Sequence, residues 1–253
     1  MQTLINDLVL RDRDGPIARL TLNDPERANV LSSAMMSALR EALDEAAADE
    51  GVRVIVLAAK GRIFCAGHDL GELTDETAGQ HAALFAQCAD LMQAIVACRA
   101  PVIALVQGAA VAAGCQLVAS CDLAYAAENA KFAVSGINLG LFCSTPGVAL
   151  GRAVGRKAAA ELLLTGRTID ARRAAELGLI NAAAPAAELE QIVGETARTI
   201  AEKASDAVAL GKAAFRRQIE APLADAYQIA SAAMVENLAF PSAQDGIGRF
   251  LKR

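Results

Sequence analysis

Two corners of this chain carry residue types suited to chemistry on a carbonyl oxygen. The first is the stretch Gly61–Leu70, in which the small pair Ala66-Gly67 is followed by His68, the carboxylate Asp69 and Leu70. A small pair lets the backbone turn sharply with its amide N–H groups facing outward. The second is Gly108–Gly114, a run of small residues ending in Cys115-Gln116-Leu117. Small residues at the start of a helix bring backbone close to a ligand where unpaired N–H groups gather. Two donors converging on one oxygen are what an oxyanion hole requires. Two strand-to-turn corners are a way to supply them.

Each corner needs a rigid element behind it. Val52–Leu57 and Val102–Val106 are unbroken apolar, β-branched runs, the pattern of buried parallel strands. Ahead of them, Leu8–Asp12 and Ile17–Asn23 read as strands joined through Asp14-Gly15-Pro16. Ser32 or Ser33 caps a helix running to about Asp49, with Met36, Leu39 and Leu43 on one face. Thr77–Cys98 repeats that helical spacing and stops before Pro101. After the second corner come short strands at Leu123–Ala126 and Lys131–Val134. From Thr145 the chain reads as helices, at about Gly147–Val154, Arg156–Leu164, Ala171–Leu177 and several from Ala187 onward. Strand, strand and helix in repetition predict an α/β architecture.

Several phrases, in this order, resemble the crotonase superfamily, also called the enoyl-CoA hydratase/isomerase family, over nearly the whole chain. They are Asn23–Leu31, Phe64–Leu70, Gly108–Leu117 with Cys121-Asp122, Gly140–Gly147, Leu164-Thr165-Gly166 and Ala174–Ile180. The phrase Gly140–Leu150 is most similar to the branch called enoyl-CoA hydratase domain-containing protein 3. The resemblance implies a crotonase-like ββα spiral core over residues 1–186 and a C-terminal helical trimerisation region over 187–253. It implies a homotrimer or a dimer of trimers, with the Ala-rich final helices packed on neighbouring copies. The expected partner is an acyl-CoA thioester. No cofactor is expected beyond the coenzyme A that the substrate carries.

The same resemblance assigns the site. The thioester oxygen would lie between the backbone N–H groups of His68 and Ala113. Substrate contacts fall on Glu26, Ala28, Ala66, His68, Asp69, Leu70, Ala110, Ala113, Gly114 and Leu139. The family's two glutamates fall on Gln116 and Gly136, so the acid/base pair for adding water across a double bond is missing. An amide does not titrate near neutral pH, and glycine has no side chain to offer. Other branches place a working aspartate where Ser144 stands. Ser144 as a nucleophile needs a base, and neither His68 nor His81 is positioned by sequence to serve. Cys143, Ser144 and Thr145 are therefore expected to cap a helix whose first turn holds Pro146. The His68 imidazole is expected to face solvent or the pantetheine arm, and Asp69, Glu72 and Asp75 are the remaining local carboxylates. A catalytically silent acyl-CoA-binding or regulatory protein of the same fold is the alternative.

Composition bounds the rest. A chain of 253 residues buries one substantial core. It is 54% hydrophobic but 4% aromatic, without Trp, so small aliphatic residues do the filling. A net charge of −5 and a pI near 5.2 argue against nucleic-acid binding. The six cysteines form no C-x-x-C pair and lie near no clustered histidines, so reduced thiols in a cytoplasmic protein are expected, with neither zinc nor a disulfide framework. Met1–Val9 has no secretory pattern. Pro101–Cys121 is a 21-residue window without a charge, long enough to span a bilayer. It opens with Pro, holds Gln107 and Gln116, and its glycines split it into a β-like and a helix-like half, so no membrane span is expected. Nicotinamide binding is disfavoured because no G-x-G-x-x-G joins a strand to a helix.

Overall fold

The computed structural model describes residues 8–74 and 77–252. Asp75 and most of Met1–Val9 lie outside the described residues. The first two strands, β1 (Val9–Asp14) and β2 (Ile17–Leu22), form an antiparallel hairpin. Parallel strands then extend the sheet: β3 (Val54–Ala59), β5 (Val102–Val106), β7 (Leu123–Ala127) and β10 (Ala182–Ala184), in the order β1-β2-β3-β5-β7-β10. Three of these strands hand the chain directly to a short strand of a second sheet. β3 leads to β4 (Ile63–Cys65), β5 to β6 (Ala109–Val111) and β7 to β8 (Lys131–Ala133). The second sheet has the order β4-β6-β8-β9, with β9 at Ile169–Asp170.

A helix follows each pair: α2 (Ala78–Ala97) after β4, α3 (Ala113–Ser120) after β6 and α4 (Ser144–Ala153) after β8, with α5 (Arg156–Thr165) and α6 (Ala171–Leu177) following α4. The repeated unit is strand, strand, helix. This is the ββα spiral implied by the family. The uncharged window Pro101–Cys121 thus resolves into β5, β6 and α3, and no described helix is long and apolar enough to cross a membrane.

Alternation along β3 explains both faces of the main sheet. Ile55 and Leu57 join the core beneath α1 (Ser33–Ala48) and α2, while Val54, Val56 and Ala58 face the other way. That second face is covered by α7 (Leu189–Ala201) through Leu189, Val193, Ala197 and Ala201. The Ser32 hydroxyl accepts the Met35 N–H and caps α1. Thr77 and Gln80 form a reciprocal capping box at α2.

The last helices, α8 (Ser205–Ile219), α9 (Leu223–Leu238) and α10 (Pro241–Leu251), bury none of their residues. They are moored by the Lys212 ammonium, which donates to Asp122 at 2.6 Å and to the Ala100 carbonyl at 3.2 Å.

Candidate functional site

The two corners pack directly on each other. Gly67, at φ 98°, lies so close to the second corner that a Cβ there would stand 3.0 Å from the Val111 carbonyl oxygen and 3.3 Å from the Ala113 nitrogen. Gly114 is closer still to the first corner: its Cβ would fall 2.2 Å from the Cys65 carbonyl oxygen. Space requires glycine at Gly114, whereas at Gly67 the fit would be tight and the positive φ is what favours glycine.

Ala112 joins β6 to α3 with φ 50° and ψ −116°. Such a conformation costs a residue with a Cβ about 1–3 kcal/mol. It is held from both sides. The Ala112 N–H donates to the Ala133 carbonyl at 2.8 Å, and its own carbonyl accepts the Gln116 N–H at 3.1 Å. Among the described residues, neither the His68 nor the Ala113 backbone N–H has an acceptor within the protein. A strained turn that presents an unpaired amide is a signal of function which an Ala at that position does not announce in sequence.

The approach to the first corner is fixed by Asn29, which is fully buried at φ 52°. Its side chain accepts the Asp24 N–H and donates to the Lys60 and Ile63 carbonyls. Its neighbour Ala28 accepts the Ala66 N–H at 3.1 Å, and Leu31 donates to the Gly67 carbonyl at 2.7 Å. Glu26 lies beside them in a short exposed turn, Pro25–Arg27.

The carboxylates near the corner are engaged in holding it. Asp69 accepts the Gly71 N–H at 3.0 Å and pairs with Arg27. Glu72 accepts the Ser33 N–H at 2.8 Å at the start of α1. Each is a loop-fastening group in this geometry.

The His68 side chain, expected from sequence to face solvent or the pantetheine arm, is half-buried against α2. Its Nδ1 lies 3.3 Å from the Leu31 carbonyl, and its ring meets Phe85 of α2 edge-on at 5.5 Å between centroids. Its Nε2 is buried without a partner. Burial lowers its pKa from the ordinary imidazole value, against smaller opposing effects of the Leu31 carbonyl and the Glu72 carboxylate.

Gln116 is 4% exposed, and its side-chain oxygen lies 4.0 Å from the Cys88 thiol. Gly136 faces no open space. A Cβ there would stand 2.5 Å from the Leu141 carbonyl oxygen and 2.8 Å from the Cys143 sulfur, which already accepts the Gly136 N–H at 3.3 Å.

Ser144 is not brought to a base: its hydroxyl donates to the Phe142 carbonyl at 3.4 Å. The expected capping is corrected too. Helix α4 starts at Ser144 with Cys143 as its cap residue and no side-chain cap bond, since that sulfur is turned to Gly136. Burial drives the Cys65 and Cys115 thiols up to about 12 and Cys88 to about 11, so none of these supplies a thiolate near neutral pH.

Of the other assigned contacts, Ala110 is fully buried in β6, while Leu70 and Leu139 are exposed apolar side chains. Phe85 and Cys88, one turn apart on α2, escaped the sequence analysis. Its one available signal for Phe85 was the rarity of aromatic residues, seven Phe and two Tyr in all.

Residues 12–253 match the enoyl-CoA hydratase/isomerase family. The chain belongs to that family. Human enoyl-CoA hydratase domain-containing protein 3, mitochondrial, is 46% identical over 96% of this chain and 80% of its own length. A crystal structure of that human protein superposes with a TM-score of 0.94 at 44% identity, covering 97% of each chain. A crystal structure of an enoyl-CoA hydratase from Mycobacterium smegmatis gives a TM-score of 0.95 at 52% identity, over 97% of this chain and 96% of the other. The crotonase fold and the domain-containing-protein-3 branch are thereby both supported.

The expected cytoplasmic address is corrected by the same comparison. Mouse, rat and human relatives at 45–46% identity are named as mitochondrial proteins. Buried reduced thiols suit any reducing compartment, so the cysteine pattern has no power to separate the two addresses.

Proposed function

We propose that this chain binds acyl-CoA thioesters and stabilises negative charge on the thioester oxygen through the His68 and Ala113 backbone N–H groups. One observation carries the reading: both amides lack an internal acceptor and sit on corners in van der Waals contact, with strained Ala112 pinned between hydrogen bonds. Donors fixed before the charge develops need no reorganisation during reaction, and removing one such donor costs about 3–4 kcal/mol in known cases. Ala66 is small enough for close approach of the thioester, Ala110 and Gly114 are buried behind the corners, and exposed Leu70 and Leu139 offer apolar surface to the acyl-pantetheine arm. Glu26, Ala28 and Asp69 complete the rim that the family resemblance assigns.

Hydration of simple enoyl-CoAs is weak in this reading, because Gln116 and Gly136 stand where the family's carboxylates would act. A second reading, a silent acyl-CoA-binding or regulatory protein, is favoured by the filling of the Gly136 position by Leu141 and Cys143. Calorimetric titration with crotonyl-CoA and with free coenzyme A tests the shared premise. The thioester is expected to bind more tightly than coenzyme A alone. Equal affinity for both, or no binding of either, would overturn the oxyanion-hole assignment.

We infer further that α8–α10 are covered by other copies of the chain in a homotrimer or dimer of trimers. They leave Phe215, Tyr227, Val235 and Phe250 exposed on helices with no buried residue, large apolar side chains that a covering copy would take out of water. Sedimentation is expected to give a trimer or hexamer mass. A stable monomer at micromolar concentration would sink this assembly.

A further inference from the structure

An amide N–H and the carbonyl that precedes it belong to one planar trans peptide and point in opposite directions. Whatever grips the carbonyl therefore aims the N–H. The peptide that carries the His68 N–H has the Gly67 carbonyl at its other end, and that oxygen accepts the Leu31 N–H at 2.7 Å. The peptide that carries the Ala113 N–H has the Ala112 carbonyl, which accepts the Gln116 N–H at 3.1 Å. Both proposed donors are thus gripped from behind. A hydrogen bond accepted at the carbonyl also polarises the peptide and strengthens its N–H as a donor.

The two grips differ in origin. Gln116 lies in α3, one turn after Ala112, so the helix supplies that bond locally. Leu31 comes from a distant segment, ahead of α1, and meets the first corner through an isolated parallel bridge between Leu31 and His68. Both segments must be held in register for that bridge to form.

Asn29 is placed to hold them. It is fully buried, and its φ of 52° follows Ala28 at 56°, two left-handed residues in a row. Asparagine tolerates that region better than most residues with a Cβ. Its Oδ1 accepts the Asp24 N–H at 2.9 Å, which closes the turn leading to Leu31. Its Nδ2 donates to the Lys60 carbonyl at 2.9 Å and to the Ile63 carbonyl at 2.8 Å, at the start of β4, the strand that runs on into Gly67. One buried amide therefore anchors the chain on both sides of the Leu31–Gly67 bond.

We propose that Asn29 is a positioning residue of the oxyanion hole, setting the direction of the His68 N–H through Leu31 and the Gly67 carbonyl. The assignment rests on the acyl-CoA reading given above. Asn29 itself stays out of reach of the ligand, and its effect is confined to one of the two donors. The Ala113 donor, gripped by its own helix, does not depend on it.

The test is the carbonyl stretch of bound butyryl-CoA, isotope-labelled at the thioester carbon and read by difference infrared spectroscopy. Calorimetric affinities for butyryl-CoA and free coenzyme A accompany it. In wild type the stretch is expected to fall below that of the free thioester, because accepted hydrogen bonds weaken the C=O bond. Asn29→Gly keeps the positive φ without strain and removes the bonds to Asp24, Lys60 and Ile63. Asn29→Asp still accepts the Asp24 N–H but has no donor for the two carbonyls. Each is expected to lose a large part of the shift, and about tenfold of the preference for butyryl-CoA over coenzyme A, the size of one hydrogen bond. Asp170→Ala removes the side-chain cap on the Arg173 N–H at the start of α6. It is expected to melt at a lower temperature with the full shift and preference, which separates positioning from loss of stability. A full shift in either Asn29 variant would overturn the assignment, and so would a shift lost equally in Asp170→Ala. Amide exchange in wild type tests the grip whichever way the variants fold: without ligand, Leu31 is expected to be protected from deuterium and His68 to exchange. A Leu31 amide exchanging as fast as that of His68 would overturn the assignment. Wild type that binds no butyryl-CoA, or binds it without any shift, would overturn the acyl-CoA reading along with it.

Discussion

Crotonyl-CoA is expected to be hydrated by the wild-type chain at least about 10⁴-fold more slowly than by a family member that retains both glutamates. Positioned acid and base groups contribute about 10²–10⁴-fold each, and the two matched positions here hold Gln116 and Gly136. The oxyanion donors and substrate positioning survive that loss, so a small residual rate is expected. Restoring the carboxylates one at a time separates chemistry from packing. Gln116→Glu places an acid on α3 without changing volume appreciably and is expected to recover part of the rate. Gly136→Glu is expected to recover none. Its Cβ alone would stand 2.5 Å from the Leu141 backbone oxygen and 2.8 Å from the Cys143 sulfur. The double variant therefore stays at or below Gln116→Glu in turnover, and melts at a lower temperature. Stopped assays of the four proteins read this out. Wild-type turnover within tenfold of a two-glutamate relative would refute the account.

The parts of the fold that were legible in sequence are those set by local pattern. β3 and β5 are unbroken apolar strands because both faces of the sheet are covered, by α1 and α2 on one side and α7 on the other. Ser32 and Thr77 cap α1 and α2 because their hydroxyls reach N–H groups three residues ahead. The two small-residue corners were visible for the same reason.

What was not legible depends on contacts between distant segments. β6 is three residues of Ala and Val with no strand signature; it exists because β4 and β8 flank it. Ala112 holds a left-handed φ only because Ala133 and Gln116 pin it. His68 turns inward because Phe85 and the Leu31 carbonyl are there to meet it. Gly136 reads in sequence as an empty position, yet Leu141 and Cys143 have taken the space. The helices after Ala187 look alike in composition, but α7 alone joins the core of its own chain.

Gly114→Ala sets two general effects against each other, and the structure decides between them. By helix propensity, Gly to Ala inside a helix gains about 1 kcal/mol. Gly114 lies in the first turn of α3, so propensity alone predicts a more stable protein. Its Cβ, however, would stand 2.2 Å from the Cys65 carbonyl oxygen, 2.8 Å from the Cys65 carbonyl carbon and 2.9 Å from its Cβ. These are backbone and near-backbone atoms of β4, which a rotamer change cannot move. Overpacking costs about 1–3 kcal/mol and occasionally more, and a collision with backbone on both sides belongs at or above the upper end. A net loss of about 3 kcal/mol lowers the melting temperature by about 6–12 °C in a chain of this size. Gly151→Ala is the matched control: it is helical in α4 and exposed, and its Cβ meets nothing within 4 Å. There propensity acts alone, and a small gain is expected. The two melting temperatures should therefore move in opposite directions. The activity consequence follows from position, since Gly114 is bonded to Ala113. Any shift of α3 away from Cys65 carries the Ala113 N–H off the oxygen it is proposed to hold, so whatever Gly114→Ala protein folds should also bind crotonyl-CoA more weakly. A Gly114→Ala protein as stable as Gly151→Ala would show that the two corners are not in contact, and the hole would lose its geometric basis.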